Sequence, residues 1–228
     1  MNPKHFTLLI ATGIFTLASA QTNVNADASI GISSKAQTIA LAGYRLHALG
    51  KNQKFSLGYG VRFTGFTGKN LEYLTAPADV SEGNFFKPQN VTKMDTLTMN
   101  GSVGSLNAAI YIDYQISSKW SVQFNIDAIG ISFGGEQTGS FYSQTQGFPE
   151  QDVKAKLTGS NILLTGDYDR GSLNSEFSGK YHFSDKGAIK FGISFVFTEY
   201  TTATKLAFNN DRFRAKSLMP MVGYSYRF

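Results

Sequence analysis

The stretch KFSLGYGVRFTGF, residues 54–66, decides the fold. Its apolar side chains fall at every second position, Phe55, Leu57, Tyr59, Val61 and Phe63. Between them stand Lys54, Ser56, Gly58, Gly60, Arg62 and Thr64. Successive side chains of a strand point to opposite faces, so this is a strand with one oily face and one polar, partly charged face. A helix repeats its apolar residues every three or four positions, and that period is largely missing after residue 20.

The same split recurs to either side. In LNAAIYIDYQI, Leu106, Ala108, Ile110, Ile112, Tyr114 and Ile116 oppose Asn107, Tyr111, Asp113 and Gln115. After Ser117-Ser118-Lys119 comes WSVQFNIDAIGISF, with Trp120, Val122, Phe124 and Ile126 against Ser121, Gln123, Asn125 and Asp127. Two alternating runs joined by so short a turn are a hairpin. A second hairpin is SLNSEFSGKYHF, residues 184–187, AIKFGISFVF; a third is TIALAGYRLHAL, residues 50–53, then the strand at Lys54. The other connections, residues 67–103, 134–171 and 201–212, are long and polar. Adding a first strand from Ala26 to Ser33 and a last from about Phe213 to Phe228 gives an all-β, closed up-and-down antiparallel barrel of about eight strands. VKAKLTG and NILLTGDY inside 134–171 also have strand character, so ten strands is the alternative.

The composition agrees: Gly 23, Tyr 11 and Phe 19 with five Pro and no Cys suit β structure without disulfides. Residues 1–20 are expected to be a signal peptide, with Lys4 and His5, an apolar run from Phe6 to Leu17, and Ala18-Ser19-Ala20 before a cut ahead of Gln21. About 12 apolar residues are too few for a spanning helix, which needs roughly 20. The expected domains are therefore the signal peptide and one barrel over 21–228.

A soluble barrel keeps its oily face inside, whereas a membrane barrel turns it to lipid. Here the charged residues Asp27, Arg45, Lys54, Arg62, Asp113, Asp127, Glu176, Lys180, Lys190 and Arg227 take the parity opposite the oily row, among many Gly, Ser and Asn. Small, mixed-sign groups suit a narrow interior, where carboxylates and cations can pair. The oily row carries rings near the short turns, Tyr44, Tyr114, Trp120, Tyr181, Tyr224, Tyr226 and Phe228, as at a headgroup girdle. In lipid every backbone donor and acceptor must be paired, which a closed sheet achieves. The expected location is the bacterial outer membrane.

With its leader, its amphipathic strands and its closing Tyr-Arg-Phe, the chain resembles small outer-membrane barrels of the OmpA and OmpX kind. GKNLEYLTAPADV and FNIDAIGISFG are also similar to outer-membrane β-barrel proteins of Bacteroidota-type bacteria. The resemblance implies that Tyr224, Tyr226 and Phe228 are the signal read by the barrel-insertion machinery during assembly. It implies no activity.

Three functional readings follow. The interior charges Arg45, Lys54, Arg62, Asp113, Asp127, Glu176, Lys180, Lys190 and Arg227 either pair and fill the lumen of a structural or interaction protein, or line a small channel for ions or solutes. A third reading is an outer-leaflet lipid-modifying enzyme, since the lipid A palmitoyltransferases and deacylases resemble this architecture and use a His and a Ser. His47 and His182 both fall near short turns, at the end away from the outer leaflet, and are expected to point inward in structural hydrogen bonds to an acid such as Glu176. No catalytic residue is therefore assigned. No metal, phosphate-loop or other cofactor motif is present. Lys205, Arg212, Arg214 and Lys216 would lie at the outer headgroup level, where phosphorylated glycolipid (lipopolysaccharide) offers anions. Nucleic acid does not explain the net charge of +5, because most cations are expected inside the barrel or in turns. The loop holding Tyr73, Phe85 and Phe86 is long enough for function, its rings being expected to pack on the loop itself.

Overall fold

The structure, a computed structural model, describes residues 22–77, 80, 94–143, 150–164 and 168–228. The expected signal peptide, Phe85 and Phe86 lie outside the described residues. Among the described residues eleven antiparallel strands are present, against the eight or ten expected. They are β1 Thr22–Ile32, β2 Ala36–Leu49, β3 Phe55–Thr75, β4 Thr96–Gln115, β5 Trp120–Phe133, β6 Gln137–Tyr142, β7 Glu150–Leu157, β8 Ser160–Ile162, β9 Leu173–His182, β10 Gly187–Thr202 and β11 Arg212–Arg227.

The strands close two rings that share walls. In the first, pairing runs from β1 through β2, β3, β4, β5, β9 and β10 to β11, and β11 returns to β1 with Tyr224 opposite Ala28. In the second, β3, β4, β10 and β11 continue past the ends of β1 and β9. β6 and β7 fill the gap between β4 and β10, and Phe213 and Arg214 of β11 pair with Thr75 and Leu74 of β3. β7 therefore pairs with β6 and β10, and β8 pairs with β5; the VKAKLTG and NILLTGDY segments, both strand-like in sequence, do not pair with each other. Pro220, which cannot donate to a ladder, sits one residue beyond Met221, the last β11 residue paired with β1.

The two rings have opposite polarity. Around the first, the oily row faces out: Phe55, Ile110 and Phe191 are 40%, 47% and 45% exposed. Around the second, the apolar side chains Leu71, Tyr73, Leu97, Met99, Phe141, Tyr200, Phe213 and Met219 pack inside, and Glu72, Thr98, Asn100 and Ser140 face out. A surface in lipid must be apolar and a surface in water polar. The inversion therefore marks the upper edge of the apolar belt. Two devices produce it: an irregularity between Gly68 and Leu71 shifts the register of β3, and on β4 the apolar parity itself changes between Val103 and Leu106. In the second ring Tyr73 packs edge-on against Tyr200 at 5.4 Å and shares a 3.1 Å hydrogen bond with the Thr198 hydroxyl. Burial raises both phenols above their ordinary value, so they remain neutral. Tyr73, expected to pack on a loop, instead lies on β3 and packs against a strand across the second ring.

Candidate functional site: the polar interior of the first ring

Inward positions of the first ring carry an ion and hydrogen-bond network to which every strand of that ring contributes. Arg62, 1% exposed, reaches across from β3 to β5. Its Nε donates to Asp127 Oδ1 at 2.9 Å, and its guanidinium also donates to the Asn125 side chain and the Asn174 carbonyl. The other Asp127 oxygen accepts from Asn107 Nδ2 at 2.8 Å and from the Asn174 amide at 2.9 Å. Lys190 Nζ lies 2.5 Å from Asp27 and 3.3 Å from Glu176. Glu176 also accepts from Ser29 at 2.7 Å and from Asn125 at 3.1 Å.

Below this layer the hydroxyl of Tyr44 collects four polar groups. It donates to Asp27 Oδ1 at 2.9 Å, accepts from Lys180 Nζ at 2.9 Å and Gln123 Nε2 at 3.2 Å, and lies 3.5 Å from Ser225 Oγ. Its ring stacks on Tyr111 with centroids 4.1 Å apart. Lys180 is 3.7 Å from Asp113. Arg227 and His182 line a cavity of only about 20 Å³ with Asp113 and Lys180 at the short-turn mouth.

The expected interior set is thus brought together as Arg62, Asp113, Asp127, Glu176, Lys180 and Lys190, with Asp27 among them and Arg227 at the mouth. Three expectations are corrected. Arg45 is exposed on the outer face, and Tyr44 beside it points inward rather than joining the girdle. β2 alternates with Ala36, Thr38, Ala40, Tyr44 and Leu46 buried, so the small Ala residues and not Arg45 form its inner face. Lys54 precedes β3 and is exposed in the turn. The histidines do not reach Glu176. His47 faces out and stacks on Tyr59 at 5.8 Å, and His182 Nε2 is 2.9 Å from Ser121 Oγ, a hydroxyl itself 1% exposed. The residues that sequence reasoning missed are neutral: Tyr44, Asn107, Gln123, Asn125 and Asn174 bridge the ions. Their signal was parity, since Asn107, Gln123 and Asn125 alternate with the oily row.

The basic group near the last loop is divided. Arg212 binds Glu199 through two nitrogens at 3.0 and 2.9 Å, and Arg214 binds the same carboxylate at 2.8 Å. Both also donate to the Asp169 carbonyl, and the Arg214 guanidinium lies 4.6 Å from the Phe197 ring centre. The pair clamps β10 and β11 to the segment before β9. Lys205 and Lys216 are exposed. Tyr224 and Phe228 face outward, at 45% and 71% exposure, and Tyr226, of the same parity, packs edge-on against Phe228 at 5.1 Å.

No family model matches the sequence, and no curated protein matches it. Among solved structures the chain is similar to Neisserial surface protein A at 11% identity, over 91% of this chain and 97% of that one, with a TM-score of 0.40. It is also similar to the Pseudomonas putida toluene transporter TodX at 10% identity, over 85% of this chain and 56% of that one, TM-score 0.26. A third is the CymD monoaromatic hydrocarbon channel, at 10% identity over 96% and 92% of the two chains, TM-score 0.23.

Proposed function

We propose that this chain is an outer-membrane barrel with a sealed interior, acting as a structural or interaction protein through the ring and loops it raises above the membrane. The single observation that carries this reading is that the interior is occupied by side chains bonded to one another. Arg62, Lys190 and Asp127 are each at most 1% exposed, and above them the second ring is filled by rings and aliphatic chains. Buried ions persist when paired and hydrogen-bonded, and an ion path needs a wet, continuous lumen, which packing of this kind works against.

The outer location is supported by the belt of exposed Ile, Leu, Val and Phe around a closed hydrogen-bonded ring. Tyr224, Tyr226 and Phe228 serve as the insertion signal for the assembly machinery. At the outer rim the exposed Lys205 and Lys216 face the level of lipopolysaccharide phosphates, while Arg212 and Arg214 are bound to Glu199. The enzyme reading is not adopted, because the Ser121 hydroxyl beside His182 is shielded from any substrate.

Planar-bilayer recording of the purified protein tests the seal. The expected result is no persistent single-channel steps at moderate voltage; steady conductance that survives cleavage of the loops would replace the sealed scaffold with a channel.

A further inference from the structure

The outward position of Arg45 is costly for a residue in the apolar belt. A cation on the lipid face of a barrel costs from near zero at the interface to about 2–4 kcal/mol at the midplane. The Arg45 side chain makes no hydrogen bond or ion pair with any described residue. It borders a groove of about 710 Å³ on the outside of the wall, lined by Ala26, Gly43, Ala108 and Ala128, with Val61 standing between Gly43 and Ala108 and Tyr59 at the flank. None of the residues lining the groove is acidic. Gly43 is the informative one. A Cβ there would meet nothing within 4 Å, whereas at Gly60 it would collide with the Gly43 carbonyl and Tyr44. Gly60 is thus required by internal packing and Gly43 is not. Glycine weakens a strand, and one without an internal reason marks a close approach from outside.

We propose that this groove holds an anionic phospholipid of the periplasmic leaflet, one acyl chain lying over Ala26 and Gly43 and the phosphate paired with Arg45. The leaflet assignment rests on the outer-membrane reading, in which the short turns face the periplasm and Arg45 lies four residues from the end of β2. Charge complementarity selects the occupant. A bidentate guanidinium suits a phosphate, and a headgroup with no compensating amine leaves the arginine neutralised. Tyr59, directly opposite Arg45 on β3, supplies the amphipathic ring expected at that level.

Native mass spectrometry of the detergent-purified full chain tests this, with dioleoyl phosphatidylglycerol as probe and dioleoyl phosphatidylcholine as the neutral control. The expected result is a preference of roughly tenfold for the anionic lipid, the scale of one charge-assisted contact. Arg45→Gln should abolish the preference and Arg45→Lys should keep part of it. Gly43→Phe, whose Cβ would meet nothing within 4 Å, places a ring in the groove and should weaken retention of both lipids with the charge intact. Equal retention of the two lipids by the unaltered chain, or a preference that survives Arg45→Gln, overturns the proposal. So does a lipid-free dimer that Gly43→Phe dissociates, which would assign the groove to a second copy. Channel activity in the bilayer would defeat the sealed-barrel reading and leave this lipid preference standing; lost preference in a silent barrel defeats only the lipid site.

Discussion

Arg62 shows how one buried residue can fix the arrangement of its neighbours. Its guanidinium engages Asp127, Asn125 and the Asn174 carbonyl, and Glu176 lies 3.9 Å away, so β5 and β9 both register against β3 through it. Forming such a pair contributes little net stability, because desolvating the ions offsets most of their attraction, but removing one partner strands the other. Arg62→Met should therefore cost about 3–5 kcal/mol, by leaving Asp127 buried opposite a thioether. Arg62→Met with Asp127→Leu should recover much of that loss. Urea unfolding in lipid vesicles measures both; a single variant as stable as the parent would show that the network is not a tightly coupled unit. Arg45 and Tyr44 make the complementary point. Adjacent residues on one strand must face opposite ways, and the sequence around them, Gly43-Tyr44-Arg45-Leu46, places an apolar or amphipathic residue on each parity. Charge favoured Arg45 inward. What decides is that the Tyr44 hydroxyl can satisfy Asp27, Lys180 and Gln123 at once, while an arginine tolerates an interface and its phosphates.

At the scale of elements, the inversion of polarity along β3, β4, β10 and β11 separates the structure into a lipid-facing ring and a water-facing one. These should fail independently. Leu97, fully buried in the second ring, makes a decisive probe: Leu97→Asp buries an unpaired carboxylate and should open that ring while the first stays closed. The expected readout is new tryptic cleavage after Lys154 or Lys156 on β7 with unchanged gel mobility of the unheated protein. Loss of the folded gel form would show that the rings are one cooperative unit. The first ring was legible in the sequence because lipid demands a strict alternation over a full belt height, as in residues 54–66 and 106–116. The upper segments read as loops, 67–103 above all, although Leu97, Met99 and Val103 alternate as regularly as Leu106, Ala108 and Ile110. Their apolar parity is reversed, as befits strands leaving lipid for water, and a search for one continuous oily face passes over it. The interior partners of Arg62 and Glu176 were legible as a face but not as pairs, because register depends on closure of the ring and on the bulge opposite Ala108 and Ala109, which changes the outward set on β5 from Phe124 and Ile126 to Ile129, Ile131 and Phe133.

For the whole molecule, the proposed seal would consist of two unlike barriers in series, an ion network in the first ring and an apolar core in the second. Barriers in series block passage when either is intact, so breaching one should leave the protein silent in a bilayer. Arg62→Ser with Asp127→Ser removes a cation and its bound carboxylate together, preserving charge balance while widening the polar layer. Tyr200→Gly with Phe213→Gly removes two rings from the apolar core, where Phe213 and Tyr200 are both fully buried. Each pair alone is expected to give no channel steps, because water must wet both layers before ions can cross, and an apolar constriction excludes it even without a solid plug. All four changes together should produce steps whose size falls when bulky charged reagents enter from the loop side. Conductance from the lower pair alone would place the whole barrier in the ion network, and conductance from the upper pair alone would show that the paired ions already admit water. The predicted ordering, silence from either breach and current from both, is specific to two barriers sharing one path, and a lumen sealed at a single level cannot reproduce it.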